Sequence, residues 1–380
     1  MSLDPELLAA IGPRVRLSPF FDRTAAAGLH SVTCYNHMWL PMSYGDPDAE
    51  YERLTTGVSM WDVAAQRHIQ VAGADADAVA QLVTVVDTSA VGVGSAAYAP
   101  MVDHDGRLVN DPVLLHVGER EWRFSVADSD IRLWVDATAR AHALDCMVTE
   151  LDTATLAIQG PKAMEVMDAL GLGSASDLES FEFRSMRLDE LDLRVCRSGW
   201  STQGGFEIFL DDPTGAERLW DLVADAGEHV GIGPGAPNPS ERIENFLLSY
   251  GTDTGYDADP YELGLDDVVD LSCGDFVGRA ALEEIASHAP ARRLRGLLLD
   301  GAKIGPLARP LVVESSGESV GRLRAAAWSP RFERNLGIAL ISAAIDVGGT
   351  IEVVGHDDVE QGVVVDLPFD DGNGTEWPSQ

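Results

Sequence analysis

The chain has 380 residues, of which 45% are hydrophobic, and it carries a formal net charge of −35 at pH 7. This length and composition predict a folded globular protein of two or three domains. The negative charge repels nucleic acid and anionic lipid, so we expect no nucleic-acid or membrane partner. The first residues, MSLDPELLAAIGPRVRL, carry early acids and lack the basic start of a secretory signal. We therefore expect a cytoplasmic protein.

The basic residues are almost all arginine, since only Lys162 and Lys303 are lysines. An acidic surface keeps a protein soluble where salt screens its charges, which indicates a salt-adapted protein. An ordinary acidic bacterial protein is the alternative. The four cysteines form no CxxC pair and the nine histidines form no HxH or HxxxH pair. We therefore expect neither disulfides nor a metal site.

The first half of the chain predicts strands and helices in a ferredoxin-like order. RHIQVAG alternates as a strand does, and ADADAVAQLVTVV is an amphipathic helix with Asp75 near its start. SAAYAPMVDHDGRLVNDPVLLHVGEREWRFSVAD predicts successive hairpins, in which Gly106 and Gly118 take the turn conformations. DSDIRLWVDATARAHAL predicts a second helix. This order resembles the ferredoxin-like split unit.

The second half predicts further strands, one linker and a β domain. TATLAIQGP is a strand, and strands also flank CRSGWSTQGG. The linker GIGPGAPNP precedes a helix in SERIENFLLSYG, for which Ser240 is the expected cap. Short β runs then follow, and they predict a C-terminal β-barrel or jelly roll. These runs are RPLVVES, ESVGRLRAAAW, LGIALIS, TIEVVG and GVVVDL.

Nine segments, in this order, resemble those of the folate-dependent aminomethyltransferases, the glycine-cleavage T-protein family. Within that family the chain is most similar to tetrahydrofolate-dependent demethylases that act on dimethylsulfoniopropionate. The segments are YNHM (35–38), WDV (61–63), GRLVNDPVLL (106–115), LAIQGP (156–161), RSGWSTQGGFEIFL (197–210), RIENFLLSYGTD (242–253), LGLDDVVDL (263–271), DFVGRAAL (275–282) and AAAWSPRFERNLGIAL (325–340).

The resemblance implies an α+β fold, a three-domain cloverleaf around a central folate channel. Its domains would be a folate-binding core (1–55 plus 150–280), a ferredoxin-like domain (56–149), a C-terminal β-barrel domain (281–370) and a loose tail (371–380). Tetrahydrofolate would be the co-substrate, without a metal, beside a small methylated substrate. Whether the protein forms a homodimer is left open.

A lone carboxylate, Glu207, follows the glycine-rich turn CRSGWSTQGG in an apolar strand. The resemblance implies that this glutamate hydrogen-bonds the pterin of tetrahydrofolate. A carboxylate can accept both parallel N–H donors of a pterin in one fork, and glycines let the ligand approach the backbone. A surface glutamate on a half-exposed strand is the alternative.

Asn110 and Asp111 are the catalytic candidates, because they lie where aminomethyltransferases of the family carry two adjacent aspartates. Building a methylene bridge requires proton handling that a carboxylate near the folate can supply. Simple methyl transfer to N5 requires less, so the sequence Asn-Asp-Pro favours methyl transfer. An asparagine turn before a strand is the alternative for Asn110.

The resemblance implies substrate and folate contacts for eight further residues. Trp200 stands where aminomethyltransferases have tyrosine or phenylalanine, and an indole attracts a sulfonium or quaternary ammonium cation. Phe209 replaces the tyrosine of the demethylase pattern, which leaves the identity of the donor open. The other substrate candidates are Tyr35 and His37, and the folate candidates are Tyr98, Ser125, Gln159 and Arg242. The alternatives are core packing for Trp200 and His37, an ordinary strand hydroxyl for Tyr98 and Ser125, turn closure for Gln159 and a salt bridge for Arg242.

We therefore predict a tetrahydrofolate-dependent methyltransferase that removes a methyl group from a small methylated donor, with dimethylsulfoniopropionate as the lead substrate. Three alternatives stay open. They are an aminomethyltransferase that uses a lipoyl carrier protein, an O-demethylase of methoxylated aromatics, and a non-catalytic folate-binding protein.

Overall fold

The computed structural model describes residues 14–356 and 361–370, and the expected loose tail at 371–380 lies outside these residues. The α-helices are α1 (Phe21–Ala26), α2 (Pro47–Thr56), α3 (Ala76–Val83), α4 (Ile131–Ala141), α5 (Ala163–Ala169), α6 (Ala216–Gly227), α7 (Pro239–Glu244) and α8 (Arg279–Ala286). The strands are β1 (Ser31–Tyr35), β2 (Met38–Ser43), β3 (Ser59–Asp62), β4 (Arg67–Ala72), β5 (Ala96–Tyr98), β6 (Met101–Val102), β7 (Leu108–Asn110), β8 (Val113–Gly118), β9 (Glu121–Val126), β10 (Met147–Leu151), β11 (Ala154–Gln159), β12 (Phe183–Leu188), β13 (Leu191–Cys196), β14 (Gly205–Leu210), β15 (Gly233–Gly235), β16 (Arg292–Leu299), β17 (Leu311–Ser315), β18 (Glu318–Ser329), β19 (Arg334–Ser342), β20 (Thr350–Val354) and β21 (Gln361–Val365).

A six-stranded sheet with the order β12-β13-β14-β11-β3-β15 forms the largest core. Strand β11 lies inside the sheet, and all six of its residues are buried, as its apolar sequence ATLAIQ requires. One face of the sheet packs against α5 and α6, where Leu156, Ile158 and Ile208 meet Val166 and Leu219. The other face of the sheet packs against a second sheet.

The second sheet has the order β10-β4-β9-β8-β5, with α3 and α4 packed on one face. Its first four strands have the spatial order of a ferredoxin-like split unit, which confirms that part of the predicted fold. Gly106 takes a left-handed conformation (φ +78°) in its turn, as predicted. The same prediction for Gly118 is wrong, because Arg120 (φ +58°) takes the left-handed position of the next hairpin.

The remaining faces of these two sheets pack against each other. The ring of His68 on β4 lies edge-on to the ring of Phe209 on β14, with 5.0 Å between centroids. Leu115, Phe183 and Cys196 surround Phe209 and exclude water from the contact. Side chains one position away along each strand point to the opposite faces, toward the helices. The contact therefore depends on the residues at alternate positions of β4, β9 and β14.

The C-terminal strands close into a barrel with the order β16-β19-β18-β17-β20-β21, which confirms the predicted β-barrel. Alternate residues such as Leu297, Val313 and Ile341 fill its interior. Helix α7 packs on β18 and β19. Its cap is Asn238, whose Oδ1 accepts hydrogen bonds from two backbone N–H groups, so the prediction of Ser240 as the cap is wrong. None of the described helices combines the length and apolarity that a membrane crossing requires.

Candidate functional site

Glu207 lies in the middle of β14 and faces the second sheet. Cys196 on β13 and Ala157 on β11 are its neighbours across the strands, so apolar or weakly polar groups flank its carboxylate. The side chain is 8% exposed. Burial raises the pKa of Glu207, and hydrogen bonds from Ser198 and Gln66 only partly offset that rise. The site thus contains a carboxylate that is costly to bury unless a partner compensates its charge.

The partners of Glu207 are neutral groups from three different segments. Gln66 Nε2 donates to Oε1 at 2.9 Å, and Ser198 Oγ donates to Oε2 at 2.5 Å. Ser125 Oγ in turn donates to Gln66 Oε1 at 3.1 Å. Among the described residues, no cation contributes to the electrostatics of Glu207. A carboxylate can accept about four hydrogen bonds, so acceptor capacity remains for a ligand with two N–H donors.

A second buried acid, Asp111, lies at the start of the segment that leads into β8. Tyr98 Oη donates to Asp111 Oδ2 at 3.0 Å. Burial raises the pKa of Asp111 to about 7, and the negative charge of Asp253 adds to the rise. Burial and the charge of Asp111 also raise the pKa of Tyr35, and together they raise that of Tyr250 to about 12. One tyrosine therefore binds this carboxylate, and two further tyrosines lie near enough to be affected by its charge.

The register of the second sheet places the residues that bind both acids in one row, and we call the region along this row the cleft. Tyr98 pairs with Val113, Val113 pairs with Ser125, and Ser125 pairs with His68, so these side chains form a row on one face. Strands lie about 4.8 Å apart, so the Cα atoms of Tyr98 and Ser125 are separated by about 10 Å. Tyr98 binds Asp111, and Ser125 is linked to Glu207 through Gln66. A ligand of two or three fused rings spans such a distance.

Trp200 lies two residues after Ser198, the partner of Glu207, and forms a cation–π pair with Arg242. The guanidinium carbon of Arg242 lies 5.7 Å from the centroid of the indole. Arg242 also donates to both oxygens of Asp253, at 2.5 and 3.3 Å, and both side chains are buried. One face of the indole is thus occupied by an arginine whose charge is balanced. The ring is half-buried. A second cation could contact it only on the face opposite Arg242.

Gln159 holds the glycine-rich turn in place. Its side chain is fully buried, and Nε2 donates to the carbonyl oxygen of Ser198 at 3.2 Å while Oε1 accepts from Ser201 Oγ at 2.7 Å. A Cβ at Gly199 would lie 2.1 Å from this amide, so only glycine fits there. The geometry supports turn closure as the role of Gln159, and a contact of its amide with the pterin stays a prediction.

Asn110 is fully buried, and its amide binds a neighbouring loop. Its Nδ2 donates to Ala127 O at 3.2 Å and to Ser129 Oγ at 2.8 Å, and its Oδ1 accepts from Ala127 N at 3.2 Å. These bonds use both ends of the amide and tie Asn110 to the loop at residues 127–129, which is a structural role. Its catalytic role stays a prediction, and Asp111 is the acid that faces the tyrosines.

The YNHM segment forms a tight hairpin turn. Tyr35 pairs with Met38, and Asn36 (φ +48°) and His37 (φ +59°) between them are both left-handed, as a two-residue type I′ turn requires. The side chain of His37 is 63% exposed and lies 3.6 Å from Asp130. Tyr35 faces Asp111, whereas His37 points to the surface, so a donor contact by His37 has no support from its position.

Phe209 is buried in the contact between the two sheets, where it touches His68 and Cys196. It lies two positions after Glu207 on the same face of β14. The ring therefore forms a wall of the cleft beside Glu207. A direct contact with the methyl donor stays a prediction.

With this geometry in view, the comparisons with known proteins are informative. The profile of the GCVT N-terminal domain matches residues 20–273, and that of the glycine cleavage T-protein C-terminal barrel domain matches residues 292–371. The chain belongs to the glycine cleavage T-protein family. It is 35% identical to the dimethylsulfoniopropionate demethylase DmdA of Ruegeria pomeroyi, over 90% of this chain and 94% of that protein. It is 30% identical to an aminomethyltransferase of Herpetosiphon aurantiacus, over 93% and 98%.

The structure is similar to the crystal structure of aminomethyltransferase T from Bartonella henselae, with a TM-score of 0.83 over 93% of this chain and 98% of that one. At 21% identity this similarity shows the shared fold. As a T-protein relative, the chain is a tetrahydrofolate-dependent transferase. The buried, cation-free Glu207 fits the donors of a pterin. Among the described residues, no group of three or more His, Cys, Asp or Glu is arranged to hold a metal.

Sequence reasoning missed several residues that build the site. Gln66 and Ser198 bind Glu207, Asp253 pairs with Arg242, and Tyr250 is one of the tyrosines around Asp111. Asp253 and Tyr250 lie in the segment SYGTD, which already belonged to one of the nine family motifs, so a closer examination of that motif was the available signal. Gln66 carries no local signal, because its partner is 141 residues away.

Proposed function

We propose that this protein is a tetrahydrofolate-dependent demethylase that takes a methyl group from a small methylated cation, with dimethylsulfoniopropionate as the lead donor. The observation that carries the proposal is the single ionisable acid at the Asn110–Asp111 pair. Asn110 is engaged by the loop at Ala127 and Ser129, so Asp111 alone is available for charge or proton chemistry.

The reaction suits a site with one such acid. The bond between sulfur and the methyl carbon breaks with its electron pair on sulfur, and the product leaves as a neutral thioether. The leaving group therefore needs no proton. Tetrahydrofolate supplies the lone pair of N5, which forms the new bond to the methyl carbon, and the proton of N5 is then released to solvent.

The charges of the cleft suit a cationic donor. When ionised, Asp111 attracts a sulfonium group. Tyr98 binds that acid through its hydroxyl, and the charge of Asp111 reaches Tyr35 and Tyr250, so the acid lies among aromatic residues that a cation can contact. Trp200 offers its second face to the same cation. Glu207 would orient the pterin, so the residues of the chain act mainly by positioning and by desolvation.

Two comparisons support different donors. The relative DmdA is named for dimethylsulfoniopropionate, and it is 35% identical over 90% of this chain. The aminomethyltransferase of Herpetosiphon aurantiacus is 30% identical over 93%, so aminomethyl transfer is the second candidate. An acid with a pKa of about 7 can also move protons in that reaction.

A donor panel tests the proposal. The protein is incubated with tetrahydrofolate and, separately, dimethylsulfoniopropionate, a quaternary ammonium donor, a methoxylated aromatic acid, and an aminomethyl-loaded lipoyl carrier protein. Mass spectrometry then identifies the folate product. We expect methyltetrahydrofolate and methylthiopropionate from the first donor. Methylenetetrahydrofolate from the carrier protein, with no methylated folate from any other donor, would reject the proposal in favour of the second candidate.

A further inference from the structure

Glu241 is a buried acid that none of the roles above uses. It lies in α7 and is 0% exposed. Its Oε1 accepts four hydrogen bonds, from the backbone N–H and the hydroxyl of Thr202 at 3.0 Å each, from Gln203 Nε2 at 3.0 Å and from Asn245 Nδ2 at 2.7 Å. Three of these four donors belong to the turn that carries Trp200. Glu241 therefore binds that turn directly.

Two adjacent residues of α7 hold two different parts of the same turn. Glu241 binds the backbone just after Trp200, whereas Arg242 stacks on the indole itself. On the other side of Trp200, Gln159 binds the carbonyl group of Ser198. The indole thus lies between two hydrogen-bonded anchor points, and its orientation is fixed by α7.

Helix α7 is in turn anchored to the barrel and to the core. Ser240 Oγ donates to Trp328 O at 2.8 Å. The carboxylate of Glu244 accepts from Ser329 Oγ at 2.5 Å and from Tyr51 Oη at 2.8 Å. Because these contacts fix the helix, Glu241 holds the turn against a rigid support.

The energetics of Glu241 argue against a role in packing alone. Burial raises its pKa, and the hydrogen bonds only partly offset this effect. Its Oε2 is buried without a hydrogen-bond partner among the described residues, which is a cost that a smaller neutral side chain would avoid. The benefit at this position is the set of strong hydrogen bonds that a carboxylate oxygen can accept.

We propose that Glu241 is a positioning residue for the methyl donor, which fixes the turn so that the second face of Trp200 lines the cleft. This inference rests on the proposed function, because it assigns Trp200 to the donor. Folate binding depends on Glu207, whose partner Ser198 is held by Gln159 at the other end of the turn, so it should respond little to a change at Glu241.

The test combines hydrogen exchange with steady-state kinetics. Deuterium uptake is measured for peptides covering residues 197–204, and the KM for dimethylsulfoniopropionate and the Kd for tetrahydrofolate are measured in parallel. For Glu241→Ala we expect exchange at Thr202 to rise at least tenfold and the donor KM to rise about tenfold, since a charge-assisted bond is lost. The folate Kd should stay within twofold. Glu241→Gln keeps an acceptor oxygen and should restore the donor KM to within about threefold of the wild type.

Two further variants guard against loss of folding. Glu50→Gln changes a buried acid of α2 that binds Ser43 and the backbone N–H of Tyr44, outside α7 and the turn, so its donor KM should stay within about twofold. The double variant Thr202→Val with Gln203→Ala removes two of the turn's bonds without altering the core, and it should raise the donor KM about tenfold. A folded Glu241→Ala protein with wild-type exchange at Thr202, or a double variant with unchanged donor KM, would overturn the inference. If the wild-type protein turns over no methyl donor, the proposed function fails, whereas the exchange experiment still tests whether Glu241 holds the turn.

Discussion

Two acids at opposite ends of the contact between the sheets have opposite environments, since Glu207 is buried and Asp211 is half-exposed. At one end, Glu207 is bound by the neutral side chains of Gln66 and Ser198, and burial raises its pKa. At the other end, Asp211 accepts from Arg123 at 2.6 and 3.1 Å and also contacts Arg194. Burial works to raise the pKa of Asp211, but the hydrogen bonds and charges of the arginines outweigh it and lower the pKa.

This difference indicates which acids are available to a ligand. An acid paired with arginines has its charge compensated and acts as a structural link between the sheets. An acid bound only by an amide and a hydroxyl keeps an uncompensated charge, and a ligand with two N–H donors can stabilise it. Glu207 and Asp211 lie four positions apart, so the chain builds both environments within one strand and the residue that follows it.

The largest effect should follow from Asp111, the second acid without an arginine partner. Asp111→Asn keeps the shape but removes the charge that attracts a sulfonium donor. We expect kcat/KM for the donor to fall about 100-fold. In the wild type, the donor KM should improve as the pH rises through about 7, where Asp111 ionises, and the variant should lose this inflection. Steady-state kinetics between pH 6 and pH 8 measures both.

The stability of the same variant checks the raised pKa independently. The folded chain raises the pKa of Asp111 from 3.8 to about 7, so the folded state binds a proton that the unfolded state has already released. The stability from this proton is present at low pH and is lost as the pH rises through about 7. Asp111→Asn should therefore melt at a higher temperature than the wild type at pH 8, by roughly 2 °C or more. A lower melting temperature would contradict the assigned pKa.

A change at Trp200 should have the next largest effect, because the two faces of its ring have different roles. Arg242, balanced by Asp253, occupies one face, and the other face is assigned to the donor. Trp200→Leu should raise the KM for a cationic donor about tenfold, and Trp200→Phe should raise it less. A donor KM that is unchanged in Trp200→Leu would remove Trp200 from the donor site. Folate affinity, measured by calorimetry, is the control.

Removing the ion pair between Arg123 and Asp211 should lower the stability of the fold and leave folate binding unchanged. Arg123→Met keeps the length of the side chain but removes the charge beside Asp211, which is half-exposed. Because solvent screens the pair, we expect a loss of about 1 kcal/mol in the free energy of unfolding. The folate Kd should change less than twofold. A large loss of folate affinity would mean that the two ends are not independent.

The smallest expected effect is that of salt on the melting temperature, which reports on the surface charges and not on the buried acids. With a net charge of −35, repulsion among surface acids should weaken as salt screens it. We expect the melting temperature to rise between low and molar KCl. Equal melting temperatures would remove the interpretation of the sequence as salt-adapted.

Much of the fold was predictable because local patterns determine it. The alternating runs of the C-terminal region predicted strands, and the structure closes them into a barrel. The Asn-His pair between Tyr35 and Met38 has the left-handed conformations of a type I′ turn, and a closer analysis of that dipeptide would have placed His37 at a turn apex. Ser240 failed as a cap because α7 already begins at Pro239, so the cap position falls on Asn238, which accepts from the N–H groups of Ser240 and Glu241.

The site was predictable only where it lies within one segment. The sequence placed Glu207 on a strand after a glycine-rich turn, and it lies there. The groups that decide the chemistry of Glu207, Asp111 and Trp200 come from other segments. Ser125, for example, binds Gln66, the partner of Glu207, across 59 residues. At the other end of the sheet contact, Arg123 binds Asp211 across 88 residues. Neither periodicity nor composition reports which buried acid faces an arginine, because that depends on how the two sheets are packed.

The most direct test of this account compares Glu207 in β14 with Asp211, the residue that follows the strand, in one binding experiment. Titration calorimetry with tetrahydrofolate is performed on the wild type, Glu207→Gln and Asp211→Asn, each shown to be folded by circular dichroism. We expect Glu207→Gln to weaken the Kd about 100-fold, since two charge-assisted hydrogen bonds are lost, and Asp211→Asn to change it less than twofold. Equal affinities for the wild type and Glu207→Gln would contradict the claim that this buried acid binds the pterin.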